Sequence, residues 1–239
     1  MKNILFPTDF SSETRPVLDW VRVFARQFEA TVIILHVFEP QVRDTTLPTF
    51  SDPGVGLSAS GSVEELSQRR LTELVDQLTA EGLVARSDWR TGDVENEIMS
   101  AVKTYQADLI ITMPTTGSSF FDRLSGSAAL DLARDATCPV LVVPEPGEDT
   151  VTRPAQVQTI VYVMQPDSTQ AQASAQTAGL TDAFGATLHF ATLDQLDQHS
   201  PDLIVVMDYK RGGLFTTDPV QKVLKRDVPV LVYHLPEKS

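Results

Sequence analysis

Short runs of aliphatic and β-branched residues recur along this chain, and helical patterns fill the spaces between them. Residues 3–6 (NILF), 31–37 (TVIILHV), 108–113 (DLIITM) and 138–144 (CPVLVVP) are mostly apolar from end to end, as strands buried on both faces are. Between the first two, Val17, Leu18, Val21, Phe24, Ala25 and Phe28 mark one helical face. Ser62 and Glu65 have the spacing of a capping box, Leu71, Leu74, Val75 and Leu78 continue that helix, and Gly82 supplies its stop. Residues 83–89 then read as a third strand. Gly92 and Asp93 turn the chain into a helix whose inner face is Val94, Ile98, Ala101, Val102 and Tyr105. Strands alternating with helices in this way predict an α/β fold: a five-stranded parallel sheet with helices on both faces, because parallel neighbours need crossover connections.

The second part of the chain repeats the first. Residues 159–164 resemble the opening strand, FGATLHFATL from Phe184 parallels FEATVIILHV from Phe28, PDLIVVM from Pro201 parallels ADLIITM from Ala107, and VPVLVY from Val228 parallels CPVLVV from Cys138. Four matches in one order predict an internal repeat. Residues 144–156 (PEPGEDTVTRPAQ) have a linker's composition, so the expected domains are 1–146 and 157–236. The later copy is abbreviated. Only residues 194–200 separate two of its strands, too few for the helix-strand-helix unit of the first copy, so a smaller sheet is expected there. The Pro-, Ser-, Thr- and Gly-rich stretch 39–61 reads as a long loop, a lid, a partner contact or a mobile segment.

Charge and composition exclude several function classes. A formal net charge of −13 repels polyanions and acidic membranes, so neither nucleic acid nor a membrane surface is an expected partner. No apolar run is long enough to span a bilayer and no signal peptide precedes the first strand, so a cytoplasmic location is expected. The single cysteine, Cys138, stands before a β-branched strand, where a small buried hydrophobe is the usual role. His36, His189, His199 and His234 lack the clustered spacing of metal ligands, so no metal site is expected from them. Ser118, Ser119 and Ser125 have no His and Asp in a triad order.

The functional signal lies between residues 114 and 127. A polar, Gly/Ser/Thr-rich loop (PTTGSSFFDRLSGS) joins a buried strand to a helix opening at Gly126-Ser127. The unpaired amides at such a helix start favour an anion such as a phosphate.

Read in order, ILFPTDFS, ILHV, Gly92, DLIITM, Gly117, Gly126-Ser127 and CPVLVVP resemble the universal stress protein family, in a tandem form with a degenerate, shortened second domain. The resemblance implies a non-catalytic stress-response regulator or sensor whose first domain binds an adenine nucleotide, ATP with or without Mg²⁺. The family's pattern of Gly-x-x-Gly, nine residues, then Gly followed by Ser or Thr is altered here. Pro114 takes the first Gly position, and eight residues separate Gly117 from Gly126. Carried over residue by residue, the resemblance places Pro7 and Asp9 against base and ribose, Val37 against the base, Met113, Pro114 and Gly117 on the pocket floor, and Gly126, Ser127, Ala128 and Ala129 at the phosphates. The alternative reading of Asp9 is a cap ahead of the first helix. Arg123 is a candidate counter-charge or an ordinary exposed arginine. In the later copy Asp218-Pro219 takes the place of Gly126-Ser127, so a carboxylate occupies the anion position and no triphosphate is expected there. Pairing of residues 140–143 with 230–232 would make the halves an intramolecular pseudo-dimer, with or without homodimerisation of the whole chain. The alternative to nucleotide binding is a nucleotide-free module that works through a protein partner. An adenylating or sulfur-transfer enzyme would want a Ser-Gly-Gly loop after the first strand, where this chain reads PTDFSS.

Overall fold

The computed structural model describes residues 1–10, 14–39, 55–113, 128–145, 154–209 and 218–234. Its first half runs β1 (Asn3–Pro7), α1 (Thr14–Phe28), β2 (Thr31–Phe38), α2 (Val55–Ala80), β3 (Val84–Thr91), α3 (Val94–Tyr105), β4 (Leu109–Thr112), α4 (Ala128–Asp135) and β5 (Val140–Val142). The second half follows with β6 (Thr159–Val163), α5 (Gln170–Phe184), β7 (Thr187–Ala191), a 3-10 turn over Leu193–Gln198, β8 (Leu203–Asp208), α6 (Pro219–Val223) and β9 (Val230–His234). Among these elements one nine-stranded sheet forms in the order β3-β2-β1-β4-β5-β9-β8-β6-β7.

The expected strand words become strands, and the hydrogen-bond registers of the two halves correspond. Asn3 stands opposite Thr31 as Thr159 does opposite Thr187, Ile4 opposite Leu109 as Ile160 opposite Leu203, and Ile110 opposite Val140 as Ile204 opposite Val230. Side chains follow suit. The Asp108 carboxylate accepts from the amides of Lys2 at 2.6 Å and Asn3 at 3.0 Å, and the Asp202 carboxylate accepts from Gln158 at 2.9 Å and Thr159 at 3.0 Å. Each aspartate thus ties the start of the central strand to the strand beside it.

Within each half all strand pairs are parallel, but the halves meet through an antiparallel pair: Val140 opposite Val232, Leu141 opposite Leu231 and Val142 opposite Val230. Since residues 140–142 are equivalent to 230–232 by register, Leu141 faces its own counterpart, and a local twofold passes between these two leucines. Each half thereby covers the edge strand the other would leave open.

Helices bury both faces. On one, α3, α4, α6 and the 3-10 turn cover Leu5, Ile33, Ile110, Val140, Val161, Ile204 and Val232. On the other, α1, α2 and α5 cover Ile4, Val32, Leu109, Leu141, Ile160, Leu203 and Leu231. Both layers cross the seam, and Phe184 of α5 packs edge-on against Phe24 of α1 with ring centroids 5.2 Å apart. In place of the crossover unit missing from the second half, the 3-10 turn buries Leu196 and leads straight to β8, so that half has four strands against five.

Two expected boundaries move. The helix assigned to a capping box at Ser62 begins upstream, since α2 already runs from Val55. Ser-x-x-Glu caps only where the chain before it is not helical. Residues 55–61 of the expected long loop are therefore helix, and 40–54 lie outside the described residues. The third strand shifts to Val84–Thr91. Two other turn signals act as expected. Gly82 at φ +85° ends α2, while the Asp93 carboxylate accepts from the Asn96 amide at 3.0 Å to start α3.

Candidate functional site

In an open α/β sheet the strands' C-terminal ends flank a crevice where the strand order reverses. Here that point is β1, with β2 on one side and β4 on the other. Four of the expected site residues lie at this end of the sheet: buried Pro7 closes β1, Asp9 follows it, Val37 lies near the end of β2, and Met113 follows β4. Ala128 and Ala129 begin α4. Pro114, Gly117, Gly126 and Ser127 lie outside the described residues, as does Arg123.

The segment carrying Asp9 is held at several points. The Thr8 amide donates to Leu35 O at 2.9 Å, and Thr8 Oγ1 accepts from the Phe10 amide at 3.0 Å. His36 Nδ1 contacts Thr8 O at 2.9 Å. A carbonyl can only accept, so the proton is on Nδ1. Burial pushes the His36 pKa below its ordinary value, against the opposing effects of the Thr8 hydrogen bond and the Asp9 charge, and Arg70 lowers it further. Phe10 adopts φ +62°, a left-handed conformation that costs a non-glycine residue about 1–2 kcal/mol. Its ring sits 4.6 Å from the His36 ring, with the Arg70 guanidinium 5.9 Å from the Phe10 centroid. Strain held in place by surrounding contacts clusters at functional sites, although Gln106 shows it at a plain helix end as well. Sequence reasoning took His36 as a structural imidazole, which fits, but missed its grip on the Asp9 segment. The clue was available in the order Pro-Thr-Asp-Phe at a strand end.

At the matching position in the second half a side chain bridges two strand ends. By register, Asp9 corresponds to Gln165 and Met113 to Met207. The Gln165 amide Nε2 donates to Met207 O at 2.6 Å, joining the end of β6 to that of β8. A carboxylate has no proton to give, so Asp9 cannot make the same bridge to Met113. Nearby, Ser168 Oγ and Tyr209 Oη are hydrogen-bonded at 2.9 Å, and Tyr162 Oη donates to Gln176 at 3.1 Å. At the start of α6 the Asp218 carboxylate accepts from the amides of Val220 at 3.0 Å and Gln221 at 3.4 Å. It also pairs with Arg134 of α4.

Elsewhere the chemistry is sparse. Cys138 is buried, and burial pushes its thiol up to about 12, far from a nucleophile at neutral pH. Among the described residues no cluster of three or more His, Cys, Asp or Glu could hold a metal, and no helix is long and apolar enough to cross a membrane.

Comparison with known proteins agrees with this architecture. Residues 1–144 match the model of the universal stress protein family. A universal stress protein of Methanocaldococcus jannaschii is 31% identical over 156 residues, spanning 62% of this chain and 85% of the relative. Universal stress protein A homolog 1 of Coxiella burnetii is 28% identical over 144 residues, 59% of this chain and 95% of that protein. Among solved structures, a universal stress protein from Archaeoglobus fulgidus superposes with a TM-score of 0.65, covering 99% of this chain and 97% of the other at 17% identity, a likeness of fold. With a family match over more than half of its length and the parallel α/β sheet that goes with it, the chain belongs to the universal stress protein family.

Proposed function

We propose that this protein is a non-catalytic regulator or sensor whose first half, residues 1–146, binds an adenine nucleotide, with residues 157–236 a truncated second domain that carries no phosphate loop. The supporting observation is the placement of Pro7, Asp9, Val37 and Met113 at or just past the carboxyl ends of β1, β2 and β4, where the strand order reverses. Asp9 accepts hydrogen bonds from the ribose, Pro7 and Val37 line the base, and Met113, Pro114 and Gly117 form the floor. Gly126, Ser127, Ala128 and Ala129 meet the phosphates, with Mg²⁺ arriving on ATP. The halves form a pseudo-dimer through β5 and β9, and the protein acts in the cytoplasm by presenting a nucleotide-dependent surface to a protein partner. Nothing in the reading calls for turnover.

Mass spectrometry of the protein as purified, followed by titration with ATP, ADP and AMP, tests this directly. A carried nucleotide or saturable binding with a thermal shift is expected, reduced at least tenfold in Asp9→Ala, in line with about 1.5–3 kcal/mol for a hydrogen bond to a charged group. Absence of binding by all three nucleotides rejects the proposal. It would favour the nucleotide-free interaction module to which Pro114 and the shortened loop point.

A further inference from the structure

The helix assigned to the phosphates is held at its other end by the second half of the chain. Arg134, in the last turn of α4, pairs with Asp218, the residue that caps α6. One residue earlier, the Ala133 carbonyl contacts His234 Nε2 at the end of β9. A carbonyl accepts, so His234 donates. These two contacts cross from one half to the other over sequence separations of 84 and 101 residues, and both fall on the same turn of the same helix.

The arrangement has no twofold-related copy. By strand register Arg134 corresponds to Leu224 and His234 to Pro144, and neither replacement carries a side-chain donor. Arg134 thus joins the last turn of α4 to the cap of α6, whereas the corresponding residues, Leu224 and Ala128, cannot form the matching pair from α6 back to the start of α4. Asp218 meanwhile occupies the anion position of its own helix, accepting from two main-chain amides while Arg134 neutralises its charge. It acts as a built-in anion where the first half would take a phosphate.

We infer that the second half regulates the first by positioning α4: the Arg134–Asp218 pair, with His234 on Ala133 O, sets how firmly the start of α4 holds the phosphates of a nucleotide. The inference rests on the nucleotide reading above. α4 has eight residues, Ala128–Asp135, and at about 1.5 Å per residue its anchored turn lies within about 12 Å of its first amides. Over so short a helix, a tilt at one end moves the other. Arg134 and Asp218 are positioning residues. Their loss acts on phosphate contacts and spares those made by base and ribose.

The test compares ATP with adenosine on the full chain by calorimetric titration, using Arg134→Met, Asp218→Asn and the double variant. Asn at 218 retains an oxygen to cap α6, which isolates the charge, and it tests the same pair should Arg134→Met fail to fold. ATP affinity is expected to fall at least fivefold in each single variant and no further in the double, while adenosine affinity stays within twofold of the parent. Unchanged ATP affinity in both single variants overturns the inference. So does an equal loss for ATP and adenosine, the signature of general damage to the site. If the parent protein binds neither compound, the nucleotide reading falls and this inference with it. Parent binding with unresponsive variants overturns the inference alone.

Discussion

Truncating Leu231 to alanine asks whether the two halves unfold as one body. Leu231 is fully buried, lies opposite Leu141 at the centre of the β5–β9 pair, and belongs to the core layer that crosses the seam. A buried Leu→Ala change costs about 2–5 kcal/mol through lost transfer energy and the cavity left behind. Taking about 3 kcal/mol, and about 2–4 °C per kcal/mol for a chain of this size, the melting temperature should fall by about 6–12 °C. The chain supplies its own probe. Both tryptophans, Trp20 and Trp89, lie in the first half, whereas the substitution lies in the second. With cooperative unfolding across the seam, tryptophan fluorescence and far-ultraviolet circular dichroism should shift together and give coincident midpoints. A tryptophan transition that stays at the parent temperature while the dichroism splits into two steps would refute the argument, because it would mean that the shared layers carry no coupling.

Three further outcomes follow from local features. His36 is depressed below its ordinary pKa of 6.5, chiefly by burial, so between that value and its folded-state pKa the unfolded chain binds more protons than the folded one. Stability should therefore decline as pH falls below about 6.5, and denaturant titrations of His36→Asn, which keeps a donor for Thr8 O, should show a flatter profile. Cys138, buried and raised to about 12, should resist iodoacetamide at pH 8 in the native protein and react only on unfolding, as mass spectrometry of the alkylated chain would show. Gln106 ends α3 at φ +48°, so Gln106→Gly should relieve roughly 1 kcal/mol and raise the melting temperature by about 2–4 °C; an unchanged or lower value would count against strain there.

The sheet was legible because its signal is repeated and one-dimensional. Apolar words such as DLIITM and DLIVVM mark strands buried on both faces, and their common order led to the expectation of a repeat before any register was known. The start of α2 was not legible, since the residues before Ser62 are rich in Gly and Ser, which have weak helix propensity, and the Ser-x-x-Glu spacing looks the same inside a helix as at its mouth. For the site, Asp9 and Met113 came from the family resemblance, and the strand words NILF and DLIITM put both at strand ends. The amide of Gln165 on Met207 O was not legible, because a lone polar residue after a strand carries no periodic mark of its partner. Asp218 was readable as a helix cap from its place before Pro219. Its pairing with Arg134 was not, since ion pairs between residues 84 apart leave no trace in local spacing.

The antiparallel meeting of β5 and β9 also changes how the assembly responds to dilution. Two separate copies joined by such an edge would come apart as their concentration fell. Covalent attachment replaces that encounter with a local one, at the millimolar effective concentration typical of short tethers. The joined state should thus persist at nanomolar protein levels, so scarcity of the protein in the cell would leave its internal partnership intact.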